Sequence, residues 1–308
     1  MRCVAKENSW APQRPVARSS CTLLLAQALC AHELPGEAIV ADGGKMTGMT
    51  ETDARSNGGQ PDLSRLFVAL DFDGTITVVD CNEVVLRRHT NMRWYALEEA
   101  SASGLIGHAE ALRRQIKMLD IPREQVLREF AEAAVLRAGF ADFLRWLIRG
   151  GARPVVISAG FREGIAAVWR REGLPPIDVY ASELRGGPGE SFEVVINEAF
   201  ADCAACGQSA CKTGVLDALQ RPDDVLVVFG DGVSDLCLAR RADLVFARAT
   251  LADLCQREGI PWQPLDSFTV AQAKLMSLAA ERFFAARETP VNEGRAASDA
   301  TARSTRRS

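Results

Sequence analysis

The chain predicts an α/β fold: a parallel sheet flanked by helices, with a helical block inserted after the first strand. Three observations predict it. Residues 66–70 (LFVAL) form an unbroken apolar run, as a strand buried on both faces requires. Residues 81–150 then carry apolar positions at three- and four-residue spacing, the period of helices with one buried face. From Pro154 onward apolar runs alternate with helical stretches, which is how strand–helix units build a parallel sheet.

The first strand ends at Asp71-Phe72-Asp73-Gly74-Thr75, where glycine permits a tight turn. The insert reads as helices over 83–88, 92–102, 109–118, 123–136 and 141–149, punctuated by Gly104, Gly107, Pro122 and Gly139. Strands follow at 154–158, 177–181, 192–196, 225–229 and 244–247, with helices at 162–172, 213–220, 234–239 and 251–258. The chain thus divides into core segments 63–80 and 151–286, a helical cap at 81–150, a poorly ordered N-terminal extension at 1–62 and a disordered tail at 287–308. The extension starts with basic residues and has a short apolar run at 22–31, so a signal peptide, a transit peptide and an over-extended start all stay open.

Composition narrows the function. Of 308 residues 47% are hydrophobic and 25% charged, which is ordinary for a globular protein. A net charge of −4 argues against a nucleic-acid partner, and no apolar stretch is long enough to span a bilayer. Nine cysteines scattered through the chain do not make the dense disulfide framework of small secreted domains; a cytoplasmic location is expected. Oligomeric state is not legible.

The residues that carry chemistry sit at strand ends. Asp71 and Asp73 lie two apart, and the period of a strand sends both to one side. Paired carboxylates need a cation or a proton between them, which points to Mg²⁺, a nucleophilic acid and a proton-moving acid. A calcium loop is the competing reading, but it follows a helix and ends in a glutamate, whereas Asn82 holds that position here. Ser158, in the segment Ile157-Ser158-Ala159-Gly160, has a hydroxyl for a phosphate oxygen, or is an ordinary helix cap. Lys212 opens a helical stretch, where the dipole disfavours a cation; it faces an anion or is a solvated surface lysine. Asp231 and Asp235, in GDGVSD after the apolar run 225–229, can face one hard cation, or the segment is a plain turn with a helix cap. Cys203, Cys206 and Cys211, at C-x2-C-x4-C spacing, offer three thiolates to zinc. The fold has to bring a fourth, Cys81 or Cys237, and free thiols are the alternative.

Taken in order, DFDGTIT (71–77), ISAG (157–160), Lys212 and GDGVSD (230–235) resemble the four motifs of the haloacid dehalogenase-like superfamily of aspartate-nucleophile phosphatases, over roughly residues 65–265. The resemblance implies a Rossmann-like core with a small helical cap, as in the phosphoserine-phosphatase-like branch. Asp80, the cysteines before Lys212 and the stretch 245–260 look like the methionine-salvage group, which acts on 2-hydroxy-3-keto-5-methylthiopentenyl-1-phosphate. It further implies a small phosphorylated metabolite as substrate, with phosphoserine, phosphocholine or phosphoethanolamine, or a phosphotransferase reaction, as alternatives. By the same resemblance Asp71 attacks phosphorus and Asp73 moves protons. Ser158, Ala159 and Lys212 hold the phosphate, and Mg²⁺ lies among Asp71, the Asp73 carbonyl, Asp231 and Asp235. Glu83, Arg87, Arg88, Arg113, Arg114 and Lys117 of the cap, with Phe161 and Arg162, are candidates to choose the leaving group.

Overall fold

The structure is a computed structural model and describes residues 61–187 and 191–285. The N-terminal extension up to residue 60 and the tail at 287–308 lie outside the described residues.

The strands are β1 (Leu66–Leu70), β2 (Arg153–Phe161), β3 (Asp178–Arg185), β4 (Glu193–Val195), β5 (Ala201–Cys203), β6 (Gln208–Cys211), β7 (Val225–Gly230), β8 (Leu244–Ala247) and β9 (Gln263–Pro264). Seven of them form one sheet in the order β4-β3-β2-β1-β7-β8-β9, parallel throughout except for the antiparallel β3–β4 pair. All five residues of β1 are buried, as its central place demands. Leu70 lies opposite Val156 on β2 and Phe229 on β7. The chain leaves β1 for one side of the sheet and later returns to the other, so the carboxyl end of β1 is the switch point where such sheets bind ligands.

The helices are α1 (Cys81–His89), α2 (Tyr95–Ala102), α3 (His108–Ile116), α4 (Arg123–Ala133), α5 (Phe140–Arg149), α6 (Arg162–Arg171), α7 (Thr213–Leu219), α8 (Leu236–Ala239), α9 (Ala249–Glu258) and α10 (Phe268–Ala285). Asp80 starts α1 by accepting the Glu83 N–H at 2.8 Å. The helix expected to reach residue 136 stops at Ala133, because Leu136 pairs with Thr77 in an antiparallel bridge. On either side of that bridge the Val78 N–H donates to Val135 O and the Arg137 N–H to Ile76 O, each at 2.8 Å. The insert therefore leaves and rejoins the core through a two-stranded ribbon.

Helix α5 belongs in sequence to the 81–150 block but packs on the sheet. Phe143 meets Phe229 of β7 at 5.4 Å between ring centroids and Phe268 of α10 at 5.2 Å, while Phe140 meets Phe268 at 5.0 Å. Helix α10 and the β5–β6 hairpin are absent from the sequence-based element list. Strand β2 runs on through Ser158 to Phe161, so Ser158 is a strand residue and α6 begins only at Arg162. Phe268 is fully buried among these rings. Phe268→Ala should therefore lower the unfolding free energy by about 3–5 kcal/mol, read from a denaturant titration.

Candidate active site

Beyond Leu70 the chain stays extended at Asp71, whose N–H donates to Phe229 O at 3.0 Å and so continues the β1–β7 pairing. It then turns sharply: Gly74 has φ +73 and donates its N–H to Val79 O at 3.1 Å. A Cβ at Gly74 would lie 2.2 Å from Asp231 Oδ2, so glycine is needed both for the turn and for the close approach of the second acidic loop.

Lys212 sits at the junction of β6 and α7 and is 2% exposed. Its Nζ donates to Asp71 Oδ1 at 2.7 Å and to Asp235 Oδ1 at 2.6 Å. The anion-facing alternative for Lys212 thus describes its position, and the solvated one does not. Asp235 is equally buried, and its second oxygen accepts the N–H groups of Asp231 and Gly232 at 3.1 and 3.2 Å. That carboxylate closes the loop after β7 on itself and leaves Asp231 free to face Asp71. Carboxylate oxygens of Asp71, Asp231 and Asp235 all lie within 4.8 Å of one another.

Burial chiefly, and then the Asp235 charge, push the Asp71 carboxyl up to about 7 against the pull of Lys212. Burial, followed by Asp71 and Asp235, pushes Asp231 up to about 8. Three buried oxygen donors whose charges oppose one another suit a hard divalent cation, which would relieve that repulsion. The donor set fits magnesium and offers nothing to a soft metal.

The Asp73 carboxylate stands outside this trio. Its Oδ1 accepts the Cys81 N–H at 2.9 Å, and its buried Oδ2 has no hydrogen-bond partner. Burial, then the charges of Asp80 and Asp71, raise its pKa well above the ordinary carboxylate range. Burial and the two neighbouring acids thus favour the protonated form of this carboxyl. Gly160 borders it: a Cβ there would lie 2.4 Å from Asp73 Oδ2 and 3.2 Å from Ser158 Oγ. Ser158 Oγ accepts the Gly160 N–H at 3.0 Å, where the β2–β3 register shifts between Ile157 and Phe161. Ala159 occupies that same irregular stretch.

Two arginines escaped the sequence reading. The buried Arg137 donates through Nε to Thr75 O at 2.8 Å and through Nη2 to Gly74 O and Thr77 O at 2.6 and 3.0 Å, so one guanidinium fork holds the whole turn. Arg248 donates to Gly74 O at 2.7 Å and lies 4.0 Å from Asp231 Oδ2. In the sequence Arg137 lies within the 81–150 block, where nothing sets it apart from the other arginines. His108, at the start of α3, is a third omission: burial holds its imidazole pKa low, with Lys212 adding to the effect and Glu98 and Asp235 opposing it.

Most cap candidates are engaged elsewhere: Glu83 with Arg87, Arg114 with Glu110, Arg88 with Glu129, and Arg162 with Glu183. Phe161 is fully buried. Arg113 and Lys117 line a groove of about 620 Å³ against residues 191–196, and none of the aspartates borders it.

Comparison with known proteins agrees with this geometry. The sequence model of the haloacid dehalogenase-like hydrolases matches residues 68–240, from β1 to just beyond the Asp235 loop. The chain belongs to that family. Among similar curated proteins, a 2-hydroxy-3-keto-5-methylthiopentenyl-1-phosphate phosphatase of Exiguobacterium sp. is 30% identical over 202 residues, 65% of this chain and 93% of the relative. Proteins of the same name from Geobacillus kaustophilus and Microcystis aeruginosa are 28% and 30% identical, covering 66% and 65% of this chain and 92% and 93% of theirs. Among solved structures, a phospho-aspartyl intermediate analogue of phosphoserine phosphatase superposes with a TM-score of 0.52 at 17% identity, over 70% of this chain and 99% of that one. A family hydrolase from Salmonella enterica serovar Typhi gives 0.53 at 17%, over 69% and 71%. These two structures share the fold. With its curated relatives, this haloacid dehalogenase-like hydrolase is a phosphatase.

The raised carboxyls have a consequence for stability. An acid whose pKa is higher folded than unfolded favours the folded state below the unfolded value, and that contribution is lost as pH rises through the folded value. For Asp231 the window runs from the ordinary carboxylate value of 3.8 to about 8. In metal-free buffer, the Tm advantage of Asp231→Asn over the wild type should therefore grow between about pH 5.5 and about pH 8.5 in thermal melts.

Proposed function

We propose that the protein is a magnesium-dependent phosphomonoesterase that works through an aspartyl-phosphate on Asp71. The observation that carries this reading is the unequal treatment of two acids on one turn: Asp71 is paired with the Lys212 ammonium, while Asp73 keeps an orphaned oxygen and a raised pKa. In this reading the Lys212 ammonium favours the charged form of Asp71 for attack, while burial and the neighbouring acids favour the protonated form of Asp73.

In this reading an Asp71 oxygen attacks phosphorus, the ester P–O bond breaks, and Asp73 hands its proton to the departing alkoxide. Water then attacks the phosphorus of the aspartyl-phosphate, its proton passes to the Asp73 carboxylate, and inorganic phosphate leaves with Asp71 restored. Lys212 spends two of its three N–H donors on Asp71 and Asp235, so the third is available to a phosphoryl oxygen. Ser158 and the backbone N–H of Ala159 are the proposed partners of the other phosphoryl oxygens. Asp71, Asp231 and the Asp73 carbonyl would hold Mg²⁺, and Asp235 would fix both Asp231 and Lys212. When bound, the ion supplies positive charge to a phosphoryl group that must approach several carboxylates.

The first four helices of the 81–150 block, α1 to α4, are the proposed cap over the site, with α5 counted with the core. The proposed substrate is a small phosphorylated metabolite, and the names of the curated relatives favour 2-hydroxy-3-keto-5-methylthiopentenyl-1-phosphate. The cysteine scatter supports a cytoplasmic enzyme; among the described residues no helix is long and apolar enough to cross a membrane.

Asp71→Asn should abolish both turnover and trapped phosphoenzyme, and normal turnover by that variant would sink the mechanism. Asp73→Asn should lose about 10²–10⁴-fold in rate on alkyl phosphates but much less on p-nitrophenyl phosphate, whose leaving group needs no proton. Chelation should stop both reactions in the wild type, with magnesium restoring them. Substrate identity is read from kcat/KM across phosphorylated metabolites. The methionine-salvage ester is expected to lead phosphoserine, phosphocholine and phosphoethanolamine.

A further inference from the structure

Cys203 ends β5, Cys206 lies in the turn, Cys211 ends β6, and Cys237 comes from α8, far along the chain. The fold brings all four sulfurs within 4.8 Å of one another, while Cys81 is not part of the group. Tetrahedral zinc with bonds of about 2.3 Å sets its sulfurs roughly 3.8 Å apart, so the four need little adjustment to share one ion. We propose that Cys203, Cys206, Cys211 and Cys237 form a structural tetrathiolate zinc site.

Local geometry supports the proposal independently of sulfur distances. Residues 203–207 (CAACG) fold into a tight turn: the Gly207 N–H donates to Cys203 O at 2.8 Å, and Gly207 has φ +68. Backbone N–H groups of Cys206 and Ala205 stabilise the Cys203 thiolate. Thr213 Oγ1 donates to Cys211 Sγ at 3.2 Å, and Arg240 Nη1 to Cys237 Sγ at 3.7 Å, the kind of outer donors that orient thiolate ligands. Four thiols that lose their protons to solvent and bind Zn²⁺ as thiolates leave a charge of −2, which these N–H, O–H and guanidinium donors partly offset.

The hairpin also needs a fastening. Strands β5 and β6 are three and four residues long and, among the described residues, pair only with each other. An isolated two-stranded hairpin is marginal in water. Its two ends matter to the site and to the insert. Cys211 immediately precedes Lys212, and Gln208 Oε1 accepts the His108 N–H at 3.1 Å at the start of α3. Cys237 lies two residues beyond Asp235. The ion would therefore pin together the two segments that carry Lys212 and Asp235, and steady the surface that meets the insert.

The test is elemental analysis of full-length protein, purified under reducing conditions and washed with a mild chelator. One zinc per chain is expected, released when a mercurial titrates four thiols. It should be retained in Asp71→Asn and in Cys255→Ser, but lost in Cys206→Ser and Cys237→Ser. Cobalt substitution should add a thiolate-to-cobalt charge-transfer band and the visible bands of a tetrahedral centre. The cobalt and mercurial measurements use the wild type, so they stand even if a cysteine variant fails to fold. Reduced wild-type protein that takes up no zinc, holds iron instead, or shows disulfides among these cysteines overturns the proposal. Zinc lost with Asp71→Asn would place the metal at the aspartates and overturn it too.

Discussion

The ammonium of Lys212 between Asp71 and Asp235 is the interaction on which the rest depends. It joins the end of β1, the start of α7 and the loop after β7, three segments that nothing local in the sequence would bring together. Both carboxylates and the ammonium are nearly sealed from solvent. Each charge is tolerable there only because the others are present, and removing one partner from such a buried set costs about 3–5 kcal/mol. The arrangement bears on charge as well as position: burial lifts the acids, and Lys212 pulls the other way.

Around that triad the two acidic loops are held by different devices. The loop after β7 is closed by the side chain of Asp235 on its own backbone. The turn after β1 is closed from outside, by the guanidinium groups of Arg137 and Arg248 on its carbonyls. The first device travels with the motif; the second comes from distant parts of the chain. Their meeting at Gly74, where a Cβ would strike Asp231, shows how closely the loops pack.

That contrast explains what was legible in the sequence. Asp71 with Asp73 and Asp231 with Asp235 were readable because each pair sits on one strand end, and apolar runs announce β1, β7 and β8. Lys212 showed only as a cation in the wrong place on a helix, and its choice between solvent and anion needed the fold. Arg137 and Arg248 gave no signal because a carbonyl-binding arginine resembles any other until its partners are located. Strand β2 looked shorter than it is because small residues at 158–160 interrupt its apolar run without ending its pairing. The hairpin strands β5 and β6 are too short and polar to show a period. The position of α5 on the sheet is tertiary: its apolar face was plain, but not what it faced.

The ribbon formed by Thr77 and Leu136 has a mechanical consequence. Arg137, the residue that grips the Asp73-bearing turn, is the first residue after the ribbon's returning strand. One guanidinium thus ties the root of the insert to the turn that carries Asp73. The chain returning from the insert's helices is thereby fastened to the carbonyls of Gly74, Thr75 and Thr77.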